Sequence, residues 1–459
     1  MSAEGLAGAQ SKMAEAGVSQ EAIDVFSHYY GELEGGATGL IAESDIDPLP
    51  QPTRLADIEV SDEQAREALG KTVILKLNGG LGTSMGMEQA KSLLPVREGA
   101  SFLDLICQQV RSARTTYGAR LPLIFMNSFR TSTDTLAALA AHSDIATDGV
   151  PLDFVQNQEP KLRTDDLTPV EWPADPSLEW CPPGHGDLYT ALLASGLLRS
   201  LVDQGYRYAT VSNSDNLGAV PDARIAGWFA QSGAPYAVEV CRRTAADRKG
   251  GHLAVRRSDQ RIILRESAQT ASEDMASFTD EARHAFFNTN SLWFDLEQVL
   301  AVLTERGGVL GLPLIRNVKT VDPTDPGSPE VFQIETAMGA AVEVFEGALA
   351  LEVGRDRFLP VKTTNDLLLL RSDVYDVTAD GAVQRIARAE PLIDLDSRYY
   401  KRIADFEARF AQGAPSLRGC TSLTVEGDWT FGSGVVCEGE VELEDAGEPR
   451  TVATGSVLR

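Results

Sequence analysis

The chain has 459 residues, of which 43% are hydrophobic and 24% charged, proportions that suit a globular protein with one large core and a smaller domain. A formal net charge of −26 argues against nonspecific nucleic-acid binding, but lysines and backbone amides can still hold a phosphate locally. No apolar run approaches the ~18 residues of a membrane span, and no secretory signal is evident. The five cysteines are scattered and form no C-x-x-C pair, which argues against a disulfide framework or a zinc site and favours the reducing cytoplasm.

Residues 1–55 are predicted to form an N-terminal helical segment. Apolar residues recur at helical spacing over residues 18–30, and Ser19 is the predicted helix cap. Residues 45–52 contain prolines and are predicted to be a linker.

Residues 56–375 are predicted to form the catalytic domain, in which short apolar strands alternate with helices. This alternation predicts an α/β fold with a mainly parallel sheet covered on both faces. Ligands of such sheets bind at the carboxyl ends of the strands, so the loops after strands are the informative ones. The predicted strands are 73–77, 121–126, 206–212 and 235–240, and the predicted helices are 102–117, 132–142, 187–205 and 222–231.

Residues 376–459 are predicted to form a C-terminal β-helix domain. Apolar residues recur there every six positions, with small residues between them, as in the coils of a β-helix. A plain β-meander is the alternative, because the run is short. The two apolar series are Leu423, Trp429, Val435, Val441 and Val425, Phe431, Cys437, Leu443.

The strongest local signal is the glycine-rich stretch LNGGLGTSMG, residues 77–86, directly after the first predicted strand. Its glycines allow the backbone to approach a ligand and to turn several N–H groups towards phosphate oxygens. It is neither a Walker A loop nor the dinucleotide fingerprint, whose third glycine would fall on Met85. Lys91 follows closely and could add a charge to a phosphate site, although a turn with a surface lysine fits equally.

Two further polar segments also adjoin predicted strands or helices. His185 stands between Gly184 and Gly186, so that its imidazole is presented on a bare backbone, and Asp187 can cap the next helix. Asp215 follows a core strand in the sequence SNSDN. A single carboxylate at that edge, together with substrate phosphates, is how Mg²⁺ is usually held.

More polar islands lie further along the chain. Asn288, Asn290 and Glu335 provide the mixed donors and acceptors that sugar hydroxyls need. Lys362 follows the apolar run FLPV, which could aim its charge inward, and residues 248–251 form a fourth island, RKGG. Each of these alone fits an ordinary loop as well.

Taken together, the motifs resemble the eukaryotic-type UTP–glucose-1-phosphate uridylyltransferase (UDP-glucose pyrophosphorylase) family. The resemblance covers nearly the whole chain, and GGLGTSMG with PPGHGD is a highly specific pair. The matching stretches are KLNGGLGTSMG, KSLLPV, FLDL, MNSF, PPGHGDLY, SNSDNLGA, KGG, FNTNSLW, QIETAMGAA, RFLPVKTTNDLLLL and VEGDWTFGSGV.

The resemblance implies a Rossmann-like nucleotidyltransferase (GT-A-like) fold, with a mixed sheet flanked by helices and a C-terminal left-handed β-helix. It also implies UTP and glucose 1-phosphate as substrates, Mg²⁺ as cofactor on Asp215, and Lys362 with Lys91 as catalytic lysines. The implied UTP-binding residues are Leu77, Asn78, Gly79, Gly80, Lys91, Gln156, Gly184, Asp215 and Lys362. The implied sugar-phosphate-binding residues are Gly79, Gly80, His185, Asn213, Ser214, Asp215, Asn288, Asn290 and Glu335.

Three positions depart from the family pattern. Ala90 stands where the family usually has proline before Lys91, which predicts a less rigid approach to that lysine. Gln158 replaces an arginine, and Asn365 stands where serine is frequent. None of these changes removes an implied catalytic group.

The competing functions differ in recognisable features. A UDP-N-acetylhexosamine or broad UDP-sugar pyrophosphorylase of the same superfamily is the nearest, but the former tends to carry Arg-Leu where this chain has Ser84-Met85. A glycosyltransferase would need D-x-D after a core strand, and an inactive sugar-nucleotide sensor would lack Lys362 or Asp215. The short tail also has an exposed end, so a homo-oligomer through the C-terminal domain is a further expectation.

Overall fold

The computed structural model describes residues 2–244, 247 and 250–459. Its α-helices are α1 (Ser2–Glu15), α2 (Gln20–Glu34), α3 (Asp62–Gly70), α4 (Phe102–Tyr117), α5 (Ser132–Leu139), α6 (Leu188–Ala194), α7 (Leu197–Asp203), α8 (Ala223–Ser232), α9 (Met275–Phe278), α10 (Leu296–Glu305), α11 (Thr364–Arg371), α12 (Ser397–Tyr400) and α13 (Ile403–Arg409).

The strands are β1 (Ile46–Pro48), β2 (Thr53–Arg54), β3 (Thr72–Asn78), β4 (Pro95–Arg97), β5 (Ala100–Ser101), β6 (Leu123–Asn127), β7 (Asp153–Val155), β8 (Glu159–Pro160), β9 (Leu162–Arg163), β10 (Trp180–Cys181), β11 (Tyr208–Asn213), β12 (Tyr236–Arg242), β13 (His252–Arg256), β14 (Ile262–Arg265), β15 (Phe286–Asp295), β16 (Ile315–Thr320), β17 (Glu330–Glu335), β18 (Leu349–Glu352), β19 (Tyr375–Val377), β20 (Val383–Arg385), β21 (Leu392–Leu395), β22 (Ser416–Val425), β23 (Trp429–Phe431), β24 (Val436–Leu443), β25 (Arg450–Val452) and β26 (Val457–Leu458).

A mixed sheet in the order β2-β18-β12-β15-β11-β3-β6-β7 forms the centre of the molecule. The pairs β11–β3, β3–β6 and β6–β7 are parallel, so their carboxyl ends share one edge. The α/β class with a mixed sheet is therefore confirmed. The long strand β15 runs antiparallel between β11 and β12, which the alternation of strands and helices did not reveal.

Local sequence accounts for most helix boundaries. Ser19 caps α2 as predicted, and its hydroxyl accepts from the N–H of Ala22. Asp222 is the cap of α8 rather than a first-turn residue. The single helix predicted over residues 187–205 is wrong: it is divided into α6 and α7 at Gly196, which adopts φ +72°. The predicted linker at residues 45–52 is also partly wrong, because β1 within it pairs with β13.

Apolar packing joins the parts of the chain. Helices α1 and α2 form a separate cluster with Leu162, Leu314 and Ile334. A larger cluster extends from α4 on one face of the sheet into the tail, where it includes Leu423 and Phe431. All five cysteines are buried free thiols. Among the described residues, no helix is long and apolar enough to cross a membrane.

The tail is built from parallel strands. β21, β22, β24 and β26 form one parallel sheet, and β23 pairs with β25 in another. Val425 pairs with Leu443, and Phe431 pairs with Val452, one repeat of short strands further along the chain. The meander alternative is wrong, because neighbouring strands of a meander are antiparallel.

Candidate active site

The glycine-rich stretch leaves β3 at the carboxyl edge of the sheet, as predicted. Asn78, which is buried, donates to Asn127 Oδ1 at 2.8 Å and to Thr135 Oγ1 at 2.9 Å. Ser214 Oγ donates to Asn78 Oδ1 at 2.9 Å and to the carbonyl of Leu77 at 2.7 Å. The side chains of Asn78 and Ser214 are therefore occupied in holding the loops together.

Lys91 and Asp215 meet at the centre of this edge. Lys91 Nζ lies 2.6 Å from Asp215 Oδ2, and both side chains are mostly buried. The other oxygen, Asp215 Oδ1, is buried without a hydrogen-bond partner among the described residues. Ala90, just before Lys91, has φ −53°, which is close to the value that proline imposes.

Gln156 connects two glycine loops. Its Nε2 donates to the carbonyl of Gly184 at 2.8 Å. A Cβ on Gly79 would lie only 3.0 Å from Gln156 Oε1. Gly184 has φ +75°, and a Cβ there would lie 2.5 Å from the carbonyl oxygen of Thr336. Position 184 therefore requires glycine, whereas at position 79 a side chain would be accommodated only if Gln156 shifted.

His185 is held in one tautomer. The N–H of Met338 donates to His185 Nδ1 at 2.9 Å, so Nδ1 carries no proton and Nε2–H is the available donor. Burial lowers the pKa of His185 to about 4. The imidazole is therefore a neutral hydrogen-bond donor at neutral pH.

Buried acids lie behind the His185 loop. Asn157 donates to both oxygens of Asp187, at 2.7 and 2.8 Å, yet burial raises the pKa of Asp187 to about 7. Burial, with the charges of Asp187 and Glu335, raises the pKa of Glu159 well above its usual range. Glu159 Oε1 has no hydrogen-bond partner in the described part of the chain, and it faces a cavity of about 30 Å³ beside α2.

Asn288 and Asn290 lie together on the antiparallel strand β15. Asn288 Nδ2 donates to Asn290 Oδ1 at 2.9 Å, and Asn290 takes φ +56° at an irregularity in the strand pairing. Gly339 lies close to Asn288, since a Cβ added at position 339 would be only 2.8 Å from Asn288 Nδ2. Because Gly339 follows Met338, the partner of His185, the two asparagines are connected to the His185 loop.

Two glutamates lie near the Asn288–Asn290 pair and the His185 loop. Glu335, at the end of β17, is half-buried with a raised pKa, and its Cβ would lie 3.1 Å from a Cβ on Gly184. Glu266, at the end of β14, was missed by the sequence analysis because it belongs to no recognisable motif. Burial raises the pKa of Glu266, the nearby charge of Lys362 lowers it, and a Cβ on Gly251 would lie about 2.5 Å from its carboxylate.

The loop that follows β11 contacts the segment that carries Lys362. Here the Asp215 loop means residues 214–220, and the Lys362 segment means residues 355–363. The N–H of Val361 donates to the carbonyl of Asp215 at 3.3 Å, and Asn216 forms a β-bridge with Pro360. Lys362 itself is exposed, and its ammonium group makes no hydrogen bond with the described residues. The structure thus brings both predicted lysines to the edge that holds Asp215.

The tail also reaches this edge. A Cβ on Gly86, which has φ +70°, would lie 3.4 Å from the side-chain stem of Arg402, between α12 and α13. Sequence analysis did not predict this contact, because the two residues are far apart in the chain. Arg248 and Lys249 of the fourth polar island lie outside the described residues, whereas Gly251 lies beside Glu266 as stated.

The donor set at Asp215 fits a hard cation. Oδ1 is a buried carboxylate oxygen without a protein partner, which is the kind of ligand that Mg²⁺ prefers. Among the described residues, no three His, Cys, Asp or Glu side chains form a metal cage. Substrate phosphates and water would have to supply the remaining ligands, as is usual for Mg²⁺.

Comparison with known proteins agrees with this geometry. A family model described as UTP–glucose-1-phosphate uridylyltransferase matches residues 23–438. A barley (Hordeum vulgare) UTP–glucose-1-phosphate uridylyltransferase is 38% identical over 99% of this chain and 95% of its own length.

Two solved structures are similar over almost their whole length. One is a UDP-glucose phosphorylase from Trypanosoma brucei, 42% identical, with a TM-score of 0.90 and coverage of 99% of this chain and 98% of the other. The second is a single-residue variant of the UDP-glucose pyrophosphorylase from Leishmania major in complex with UDP-glucose, also 42% identical, with a TM-score of 0.92 and the same coverage. With the family model spanning most of its length, the chain belongs to the UTP–glucose-1-phosphate uridylyltransferase family.

Proposed function

We propose that this enzyme converts UTP and glucose 1-phosphate into UDP-glucose and pyrophosphate. The observation that carries the proposal is the convergence of Lys91, Asp215 and the Lys362 segment beside a glycine loop at one sheet edge. A glycine-rich loop, lysines and a metal-binding carboxylate are the groups with which enzymes hold phosphates and neutralise their charge during group transfer. The alternative of a UDP-N-acetylhexosamine pyrophosphorylase is not favoured by the comparisons.

The reaction is an in-line displacement at the α-phosphorus of UTP. A phosphate oxygen of glucose 1-phosphate forms the new P–O bond while the bond between the α-phosphorus and the bridging oxygen breaks, and the electron pair leaves with pyrophosphate. Two anions must be brought together, so positioning and charge neutralisation provide most of the catalysis. Lys91 and Lys362 neutralise phosphate charge, and no nucleophilic side chain is required.

The remaining predicted residues divide into two sides. On the nucleotide side, backbone amides of residues 77–80 and the Gln156 amide orient UTP. Asn213, at the end of β11, belongs to the sugar-phosphate side. On the sugar side, the neutral His185 donates to the sugar phosphate, and Glu335 with the Asn288–Asn290 pair accepts and donates to glucose hydroxyls. Glu266 is assigned to the sugar side because it lies against Gly251, whose carbonyl accepts from the N–H of Asn288.

Mg²⁺ is the proposed cofactor, with Asp215 Oδ1 as its protein ligand. When bound, Mg²⁺ supplies positive charge to phosphate oxygens as a Lewis acid. Lys91 holds the other oxygen of Asp215 at 2.6 Å, which would leave Oδ1 available to the ion.

Pyrophosphate release with different substrate pairs tests the proposal directly. UTP, ATP, GTP, CTP and TTP should each be tried with a panel of sugar 1-phosphates that includes glucose, galactose and N-acetylglucosamine. We expect UTP with glucose 1-phosphate to give the highest kcat/KM. A clear preference for N-acetylglucosamine 1-phosphate, or no pyrophosphate from any pair, would contradict it.

Lys362→Ala tests the catalytic lysine. Losing one pre-organised charge should lower kcat by about 10²-fold or more, while the affinity for UTP falls much less. The measurements are steady-state kinetics and UTP binding by calorimetry. Near-normal turnover would remove Lys362 from the mechanism.

We also propose the domain division 1–55, 56–375 and 376–459, with the tail forming a left-handed β-helix that joins subunits. The parallel strands of the tail support the coil, and the exposed Val457 on the edge strand β26 supports self-association. Phe431 is buried against Phe410, so it contributes to the core and not to an interface. Light scattering of the full chain and of a chain truncated before Thr421 tests this, and a monomeric full chain at micromolar concentration would exclude assembly.

A further inference from the structure

A buried polar network lies beneath the contact between the Asp215 loop and the Lys362 segment. Arg357 and Glu239 form its ion pair, at 2.7 and 3.0 Å, with side chains only 8% and 1% exposed. Arg357 also donates to the carbonyl of Val220, the last residue of the Asp215 loop, at 3.1 Å. Glu239 lies on β12 and also accepts from Trp293 Nε1 on β15 at 3.0 Å. The network thus connects Arg357, in the Lys362 segment, to the central strands β12 and β15.

Asn216, directly after Asp215, makes the second connection. Its side chain is almost fully buried and donates to the carbonyl of Arg357 at 3.2 Å. Its Oδ1 accepts from the N–H groups of Leu359, at 2.8 Å, and of Gly218, at 3.1 Å. One amide therefore holds both its own loop and the Lys362 segment. The side chains of Asn216 and Arg357 thus use their polar atoms on neighbouring protein groups.

Gly218 shows how closely the two segments approach. A Cβ at this position would lie 2.5 Å from the carbonyl oxygen of Asp356 and 2.6 Å from the carbonyl carbon of Arg357. Both neighbours are backbone atoms, which cannot move aside without shifting the whole segment. No left-handed backbone angle is involved at this glycine, so the requirement is one of space alone.

We propose that Asn216 and Arg357 are positioning residues that set the distance between the Lys362 charge and the Asp215 carboxylate. This rests on the proposed function, in which both groups act on the same phosphates. The exposed side chain of Lys362 makes no hydrogen bond with any residue that the structure describes, so its placement depends on the backbone of the Lys362 segment. A displacement of about 1 Å there can cost about 10²-fold in rate.

The test is a double-mutant cycle between Asn216→Ala and Lys362→Ala. We expect Asn216→Ala to lower kcat about 10- to 100-fold at saturating Mg²⁺ and substrates, with the KM for UTP changed less than about 3-fold. Because Asn216 acts through Lys362, the double variant should be no more than about 2-fold slower than Lys362→Ala alone. Effects that multiply would mean that Asn216 acts independently, and would overturn the inference.

Gly218→Ala is a second variant that removes no hydrogen-bonding group. Its methyl group should push the Lys362 segment away from the Asp215 loop, with the same loss of kcat and the same non-additivity with Lys362→Ala. It remains informative if Asn216→Ala fails to fold. Arg357→Lys keeps the buried charge opposite Glu239 and should retain more activity than Arg357→Met.

Arg114→Met is the matched control. Arg114 also donates to backbone carbonyls of neighbouring segments, those of Leu121 and Ile145, but near the start of β6, away from the carboxyl edge. It should lower the melting temperature without changing kcat. Normal turnover in Lys362→Ala would remove Lys362 from the mechanism and refute this inference, whereas the proposed function itself is refuted only if the unaltered enzyme releases no pyrophosphate from UTP and glucose 1-phosphate. Loss in Lys362→Ala with normal turnover in Asn216→Ala and Gly218→Ala would refute the inference alone.

Discussion

The nucleotide side and the sugar side of the site are held together by different forces. On the nucleotide side, uncharged amides and hydroxyls such as Asn78, Asn127 and Ser214 tie the ends of parallel strands to one another. On the sugar side, the acids Glu335 and Glu266 lie half-buried at the ends of strands in antiparallel pairs, with raised pKa values. Neutral amide and hydroxyl hydrogen bonds do not titrate in this range, whereas burial raises the pKa of both carboxyl groups above its usual range. The nucleotide side should therefore be the more robust to pH, and the sugar side the more sensitive.

Gly184 contacts residues of both sides, Gln156 and Glu335, so Gly184→Ala should have the largest effect on activity. The new methyl group would collide with the Thr336 backbone, in a conformation that side chains rarely adopt. We expect a loss of about 10²-fold or more in kcat/KM for both substrates, since misplacement by about 1 Å is sufficient. Steady-state kinetics with each substrate varied in turn would show this.

Gly196→Ala is the control for that variant. Gly196 has a similar positive φ, but nothing lies within 4 Å of its Cβ position. It should cost only the backbone strain of about 1–2 kcal/mol and leave kinetics unchanged. If Gly184→Ala impaired one substrate alone, the two sides would be less coupled than the contacts indicate.

Asp215→Asn tests the proposed metal ligand, which the nucleotide and the sugar phosphate share. Removing the hard anionic ligand should raise the Mg²⁺ concentration needed for half-maximal activity by about 10-fold or more, the scale of losing a metal-site group. Activity measured against free Mg²⁺ gives this value directly. Asp295→Asn, in a residue that caps α10 away from the site, should leave it unchanged. Unaltered metal dependence in Asp215→Asn would assign the ion to another group.

Glu159→Gln tests the acids behind the sugar side through stability. The folded pKa of Glu159 lies above its ordinary value of 4.5, so its protonated form favours the native state. That contribution is present below pH 4.5 and is lost as the pH rises through the folded pKa. Glutamine keeps the shape without the charge, so the variant should melt a few degrees higher at about pH 8 and equally near pH 4.5, at roughly 2–4 °C per kcal/mol.

Thermal melts across this pH range provide the measurement. Glu305→Gln, at an exposed position on α10, should show no such trend. A lower melting temperature for Glu159→Gln at the higher pH would mean that the charged form is stabilised by a partner after all.

Ala90→Pro should have the smallest effect. The backbone of Ala90 already has nearly the φ that proline would impose, so the change should leave the KM for UTP within about 2-fold and add at most ~1 kcal/mol of stability. Kinetics and denaturant melts measure both. A large loss of activity would show that the buried Ala90 N–H or its surroundings cannot accommodate the ring.

The nucleotide side could be predicted from the sequence better than the sugar side. Gly79, Gly80 and Asp215 directly follow parallel strands with clear apolar patterns, so their shared edge could be inferred. Strand β15 could not be inferred as antiparallel, because pairing direction depends on distant partners and not on local pattern. Glu266 has no motif and is recognisable only from its place against Gly251 and Lys362. The division of the predicted helix 187–205 at Gly196 could not be predicted either. A single glycine lowers helix stability only modestly, and the apolar residues on both sides of it favour a continuous helix.

The separate apolar cluster of the N-terminal helices has a consequence for motion. α1 and α2 pack with Ile334 in a cluster of their own and meet a main core chiefly where α2 contacts α6, so we expect them to open as a unit at less cost than global unfolding. Ile334 immediately precedes Glu335, so every such opening also loosens the acid proposed to face glucose. A ligand that engages Glu335 should therefore slow amide hydrogen exchange in α1 and α2, helices that contribute no predicted ligand contact.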